Sequence, residues 1–116
     1  MPTFRQGDVI KVPFPYTDRP TRQSRPALVV SGGSLEDAHG LLWVVMITSA
    51  QSRGWPGDVP VNNLAAAGLP VPSVIRTAKI ATIEAADAAK LGAVAPALLR
   101  RVARYLAREL GLDTIP

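Results

Sequence analysis

Two short apolar runs, Ala27-Leu28-Val29-Val30 and Leu41-Leu42-Trp43-Val44-Val45-Met46-Ile47, most tightly limit what this chain can fold into. Turn formers bound them: Gly32-Gly33-Ser34 follows the first, and His39-Gly40 precedes the second. Neither run shows the polar alternation of a strand with one wet face. Both therefore read as strands covered on both sides. A fold that covers short strands twice needs a second layer or a sheet that curls on itself.

The rest of the chain supplies the pieces. Asp8-Val9-Ile10-Lys11-Val12-Pro13-Phe14 reads as a strand, with Gly7 before it and Pro13 near its end. Residues 15–24 are polar and proline-containing, the pattern of a loop. A second irregular loop is Arg53-Gly54-Trp55-Pro56-Gly57. Residues 58–61 form a short edge strand, because Pro60 has no amide to donate to a ladder. Residues 64–70 fit either one helical turn or a surface loop, and residues 73–83 one or two further strands. Two helices are expected to follow: residues 85–91, stopped by Gly92, and residues 96–110, with Pro96 at the first helical position and Gly111 as the stop. In the second, Leu98, Leu99, Val102, Leu106 and Leu110 make one apolar stripe. Trp43, inside an apolar run, is expected in the core. The fold class is mainly β with C-terminal helices: a small barrel in one compact domain, residues 1–116.

Composition removes several chemistries. There is no cysteine among the 116 residues, so disulfides, thiol catalysis and cysteine-ligated zinc are excluded. One histidine and scattered carboxylates argue against a protein-built metal site, and no cofactor is expected. The first residues lack the apolar run of a signal peptide, and no stretch approaches the ~20 apolar residues of a membrane span. The expected setting is the cytoplasm. A net charge of +4 points to an acidic partner. Arg19, Arg22 and Arg25 cluster in a loop with only Asp18 opposing them, whereas Arg100, Arg101, Arg104 and Arg108 read as the solvated face of the last helix.

RNA can be cut without a metal when its own 2′-hydroxyl attacks the adjacent phosphorus. The protein then has to position the nucleotide, stabilise charge on the phosphoryl oxygens and assist the proton transfers. His39 lies in a polar turn and reads as a surface residue, so other groups must act. Arg25 offers a planar fork of donors at the start of a strand anchored by Pro26, although alone it also fits a surface charge or a salt bridge to Asp8 or Asp18. Thr48 and Ser49 end the second apolar run with hydroxyls suited to phosphate. Trp55, Tyr16 and Phe14 are candidates to stack bases, with Arg19, Arg22, Arg53, Arg76 and Lys79 on the backbone.

Read in order, Gly7-Asp8-Val9, Phe14-Pro15-Tyr16-Thr17-Asp18, Arg25-Pro26-Ala27-Leu28-Val29-Val30-Ser31 and Met46-Ile47-Thr48-Ser49 resemble the MazF/PemK family of toxins. The resemblance runs over roughly residues 4–110. It implies an SH3-like barrel, a homodimer, and an endoribonuclease of a type II toxin–antitoxin system. Such an enzyme cuts single-stranded RNA at short sequences without metal, leaving a 2′,3′-cyclic phosphate and arresting translation and growth. By the same resemblance, Arg25 stabilises the transition state and Thr48 binds the scissile phosphate. Thr17, Asp18, Arg19, Arg22, Ser49, Arg53, Trp55 and Lys79 are the expected substrate contacts. The loop Arg19-Pro20-Thr21-Arg22-Gln23-Ser24 lacks the Ser-Glu-Gln segment and glycine that many members carry there, and it is expected to govern which RNA reaches the pair. The implied partner is an antitoxin with an acidic, disordered tail. The alternatives are a CcdB-like toxin that binds DNA gyrase without cutting, and an inactive binding barrel. The gyrase contact of CcdB-like proteins depends on a C-terminal tryptophan, and this sequence ends Leu112-Asp113-Thr114-Ile115-Pro116.

Overall fold

In a computed structural model of the chain, which describes residues 3–14 and 23–112, the two apolar runs become neighbouring strands in the middle of one sheet. The elements are β1 (Asp8–Phe14), β2 (Gln23–Val29), α1 (Gly33–His39), β3 (Leu41–Ser49), β4 (Asp58–Pro60), α2 (Leu64–Ala67), β5 (Ser73–Glu84), β6 (Ala89–Ala93) and α3 (Pro96–Glu109). The sheet order is β4-β5-β3-β2-β1-β6, and every pairing is antiparallel.

Successive residues of the central strands do feed two separate cores, as continuous apolar runs require. Ala27, Val29, Val44 and Met46 join Phe4, Ile10, Val12 and Ile83 on one face. Leu28, Val45 and Ile47 join Val9, Ile75 and, from α3, Leu98 and Val102 on the other. The terminal helix covers that second face with its apolar stripe, and Pro96 stands in its first turn. Asp8, buried, fastens β1: it accepts from the Arg5 amide (2.9 Å) and pairs with Lys90 of β6 at 3.4 Å.

The two ends of the sheet are drawn together by α2. This single helical turn, capped by the Asn63 side chain accepting from the Ala66 amide (3.1 Å), starts just after edge strand β4. Its backbone lies directly on the opposite edge strand, β6. A Cβ on Gly68 would fall 2.1 Å from the Leu91 carbonyl oxygen, and one on Gly92 would fall 2.3 Å from that of Ala66. Glycine at both positions lets helix and strand approach this closely. The sheet thereby curls into the small barrel expected from the sequence.

Three expectations need correction. Residues 85–91 are not a helix: residues 85–87 make one 3-10 turn and the chain then enters β6, paired with β1. The alanine-rich stretch has helical propensity, but β1 offers an open edge, and ladder bonds there outweigh a weak local preference. Gly32-Gly33-Ser34 and His39-Gly40, read as turns, instead begin and end a helix, α1, closed by Gly40 in the left-handed conformation. Trp43 is 50% exposed and not in the core. It faces away from its buried neighbours Leu42 and Val44, near the start of β3, where Leu106 and Leu110 of α3 stand beside it but leave half of the ring exposed.

Candidate active site

Antiparallel register brings together the two residues on which the chemistry was expected to rest. Ala27 of β2 pairs with Met46 of β3. Two residues further along each strand, on the same face, stand Arg25 and Thr48. Both line one groove of about 370 Å³, together with Ser24, Ser49 and Ser73. That volume is in the usual range for ligand pockets. Leu69 and Leu91, brought in where α2 meets β6, form an apolar wall opposite. Sheet closure therefore builds the groove as well as the fold.

Arg25 is half-buried with its Nε enclosed, and it sits within the ladder opposite Val12 of β1. Thr48 is buried, its Oγ1 3.3 Å from the Ser52 Oγ in the β3–β4 loop, either hydroxyl being able to donate. The Ser49 Oγ accepts from the Gln51 amide at 3.2 Å. A guanidinium and a hydroxyl fixed on adjacent strands, facing one groove, can hold two oxygens of a phosphate at once.

Sequence reasoning missed two neighbours. Lys11 of β1, opposite Pro26, also lines the groove, from the face of the ladder opposite to Arg25. Its signal was a lysine set between the buried Ile10 and Val12, which must point to the other side of the strand. Ser52 gave no signal, because only the return of its loop brings it to Thr48.

The other expected contacts divide. Thr17, Asp18, Arg19, Arg22 and Tyr16 lie outside the described residues, as does the Phe14 side chain. Arg53, Trp55 and Lys79 do not line the groove but belong to a neighbouring cluster built on Arg76. Arg76 was expected on an RNA backbone and is instead buried. Its Nε and Nη2 donate to Asp58 at 3.2 and 3.0 Å, and Nη2 also donates to the Arg53 carbonyl at 2.7 Å. Its guanidinium lies 4.4 Å from the centre of the Trp55 ring, with the Lys79 ammonium 5.6 Å from the same ring. Asp58 also accepts from the Trp55 amide at 3.0 Å, so the loop is tied down from both ends. His39 is exposed at the end of α1, as expected.

A family model described as PemK-like, MazF-like toxin of type II toxin–antitoxin system matches residues 5–110. The chain belongs to that family. The six-stranded sheet with its terminal helix is also the fold of MazF from Deinococcus radiodurans, at 22% identity over 93% of this chain and 96% of that one, with a TM-score of 0.77. An endoribonuclease solved in complex with its cognate antitoxin, from a mycobacterial species, is 21% identical over 96% of each chain, with a TM-score of 0.70. The Mycobacterium tuberculosis toxin MazF-mt6 is 23% identical over 89% of this chain and 96% of its own, with a TM-score of 0.68. No curated protein sequence matches this MazF-like chain significantly. Among its described residues, no helix is long and apolar enough to cross a membrane.

Proposed function

We propose that this MazF-like toxin is an endoribonuclease that cleaves single-stranded RNA by attack of the 2′-hydroxyl, without a metal, and thereby stops translation. The toxin domain takes in residues 1–116. In the proposed step the 2′-oxygen bonds to phosphorus, its proton passes to solvent, and the P–O5′ bond breaks. A 2′,3′-cyclic phosphate remains and the 5′-oxygen takes up a proton. Arg25 holds the phosphoryl oxygens as they gain charge; a guanidinium stays protonated at neutral pH, so its role is electrostatic. Thr48 donates to the scissile phosphate and orients the attacking hydroxyl, while Ser52 fixes its rotamer. The observation that carries this reading is the register: Arg25 and Thr48 meet in one groove because β2 and β3 pair as they do.

The partners follow from the remaining surfaces. An acidic antitoxin tail would compete with RNA for the cations at the groove mouth, Lys11 and Arg25, and for Arg19 and Arg22 in the loop before it. A homodimer would form through an uncovered apolar face. Trp43 and Ile80, about half exposed, and Leu110, largely exposed, line one groove of about 720 Å³. The start of β3 and the terminal helix meet there.

Incubation of the purified protein with a mixed RNA in EDTA tests the activity. Site-specific products are expected, and Arg25→Ala and Thr48→Ala should each lower the cleavage rate about 10²–10³-fold, as loss of a transition-state donor commonly does. Intact RNA across a broad target set would sink the reading.

A further inference from the structure

We infer that the arginine flank of α3 is a second RNA-binding surface, which takes backbone phosphates of a single strand beyond the cleavage groove. The inference rests on the proposed nuclease activity and extends it to a surface that sequence alone presents as a solvated helix face. Helical spacing divides α3 into three parts. Leu98 and Val102 enter the core, and Leu106 and Leu110 flank the groove beside Trp43. Arg101, Arg104 and Arg108 fall on the opposite flank around Tyr105, and the four line a cleft of about 290 Å³.

That cleft joins the active site through the β3–β4 loop. The loop leaves β3 after Ser49 and brings Ser52 to 3.3 Å from the Thr48 hydroxyl. It passes Arg53 and Trp55, both held by Arg76. It ends at Gly57, where an added Cβ would lie 3.7 Å from Cδ1 of Tyr105. Along this path cations and rings interleave: Lys79 stands 5.6 Å from the Trp55 ring and Arg108 5.8 Å from the Tyr105 ring. Charged groups that follow a backbone, interleaved with rings that meet bases, are how proteins bind single strands without reading sequence. Tyr105 packs partly against the second core and turns the rest of its ring into the cleft beside the arginines, at the point where the loop from the groove arrives. An acidic protein segment would use the charges but not the rings, so RNA is the better-fitting occupant.

The test uses two RNAs with the same cleavage sequence, one just long enough to fill the groove and one extended on both sides. The triple variant R101Q/R104Q/R108Q is compared with wild type, with R101K/R104K/R108K as the charge-preserving control. The expected result is an increase in KM on the order of tenfold for the long RNA, with kcat, melting temperature and short-RNA cleavage unchanged and the lysine variant near wild type. The dependence of log K on log salt for the long RNA should become shallower by about 2, at roughly 0.7 for each phosphate no longer neutralised. Equal KM values for wild type and the glutamine variant on the long RNA would overturn the inference. So would a glutamine variant that weakens only the binding of an acidic antitoxin peptide. Failure of wild type to cut either RNA would instead remove the nuclease reading on which it stands.

Discussion

Asp58→Ala strips three hydrogen bonds from the loop beside the proposed active site: those accepted from Arg76 Nε at 3.2 Å, from Arg76 Nη2 at 3.0 Å and from the Trp55 amide at 3.0 Å. The side chains of the Arg76–Asp58 pair are 8% and 11% exposed, so the guanidinium left behind cannot reach water unless the loop opens. Removing one partner of a buried ion pair costs about 3–5 kcal/mol. Arg76 would keep its bond to the Arg53 carbonyl at 2.7 Å and the face of Trp55 at 4.4 Å. The low end, about 3 kcal/mol, is therefore expected. For a domain of this size that lowers the melting temperature by roughly 12 °C, readable by circular dichroism. Asp58→Asn keeps one carbonyl acceptor and should lose less. The double variant Asp58→Ala/Arg76→Met leaves no stranded charge, and should recover part of the loss. A melting temperature for Asp58→Ala within about 2 °C of wild type would refute the reasoning, as would a double variant no more stable than the single one.

Two further outcomes follow from other parts of the molecule. Glu36 of α1 accepts from the amides of Thr3 (2.9 Å) and Phe4 (3.0 Å); burial pushes its carboxyl up, but these bonds outweigh it and hold it below the ordinary 4.5. A carboxylate so held stabilises the fold above its unfolded pKa and loses that contribution as pH falls through the folded value. Glu36→Gln should thus melt lower than wild type at neutral pH, with the gap closing in acid; a gap independent of pH would contradict this. Trp43→Glu and Leu110→Glu, which place charge on the uncovered apolar face, should shift a dimer to monomer in light scattering, whereas a wild-type protein already monomeric would remove the proposed interface.

How much of the fold could be read in advance depended on whether local pattern and tertiary demand agreed. They agreed in β2 and β3, where continuous apolar runs had no other use than strands covered twice, and in α3, where the stripe, Pro96 and Gly111 all marked the same helix. They disagreed at residues 85–91. Ala85-Ala86-Asp87-Ala88-Ala89-Lys90-Leu91 is helical by composition, yet it becomes a turn and the start of β6 because the edge of β1 would otherwise be unpaired. No window of sequence contains that edge. Trp43 departed from expectation for a related reason. A large ring in an apolar run is usually core, but this one lies on the face of Val45 beyond the part that α3 buries, and so its exposed half marks a surface that a second molecule is proposed to cover.

The proposed active-site pair was readable only as a resemblance, since neither Arg25 nor Thr48 is unusual in its own segment. Register joins them, and a slip of one residue between β2 and β3 would turn one of the two to the opposite face. What prevents the slip is the burial of both faces of these strands: any shift would exchange the two cores, moving Val44 and Met46 into the space of Val45 and Ile47. The apolar runs that dictate the barrel therefore also set the separation of guanidinium and hydroxyl, and they do so mainly from the two cores, Ile47 being the member that also lines the groove. Lys11 and Ser52 lack this protection. One is an exposed side chain on a strand and the other depends on a loop, so the charge and hydrogen bonding around the pair can vary while the pair stays where the core holds it. The Arg76–Asp58 anchor is the exception that makes the loop part of the scaffold, and on that ground its loss should be felt at Thr48 as well as in stability.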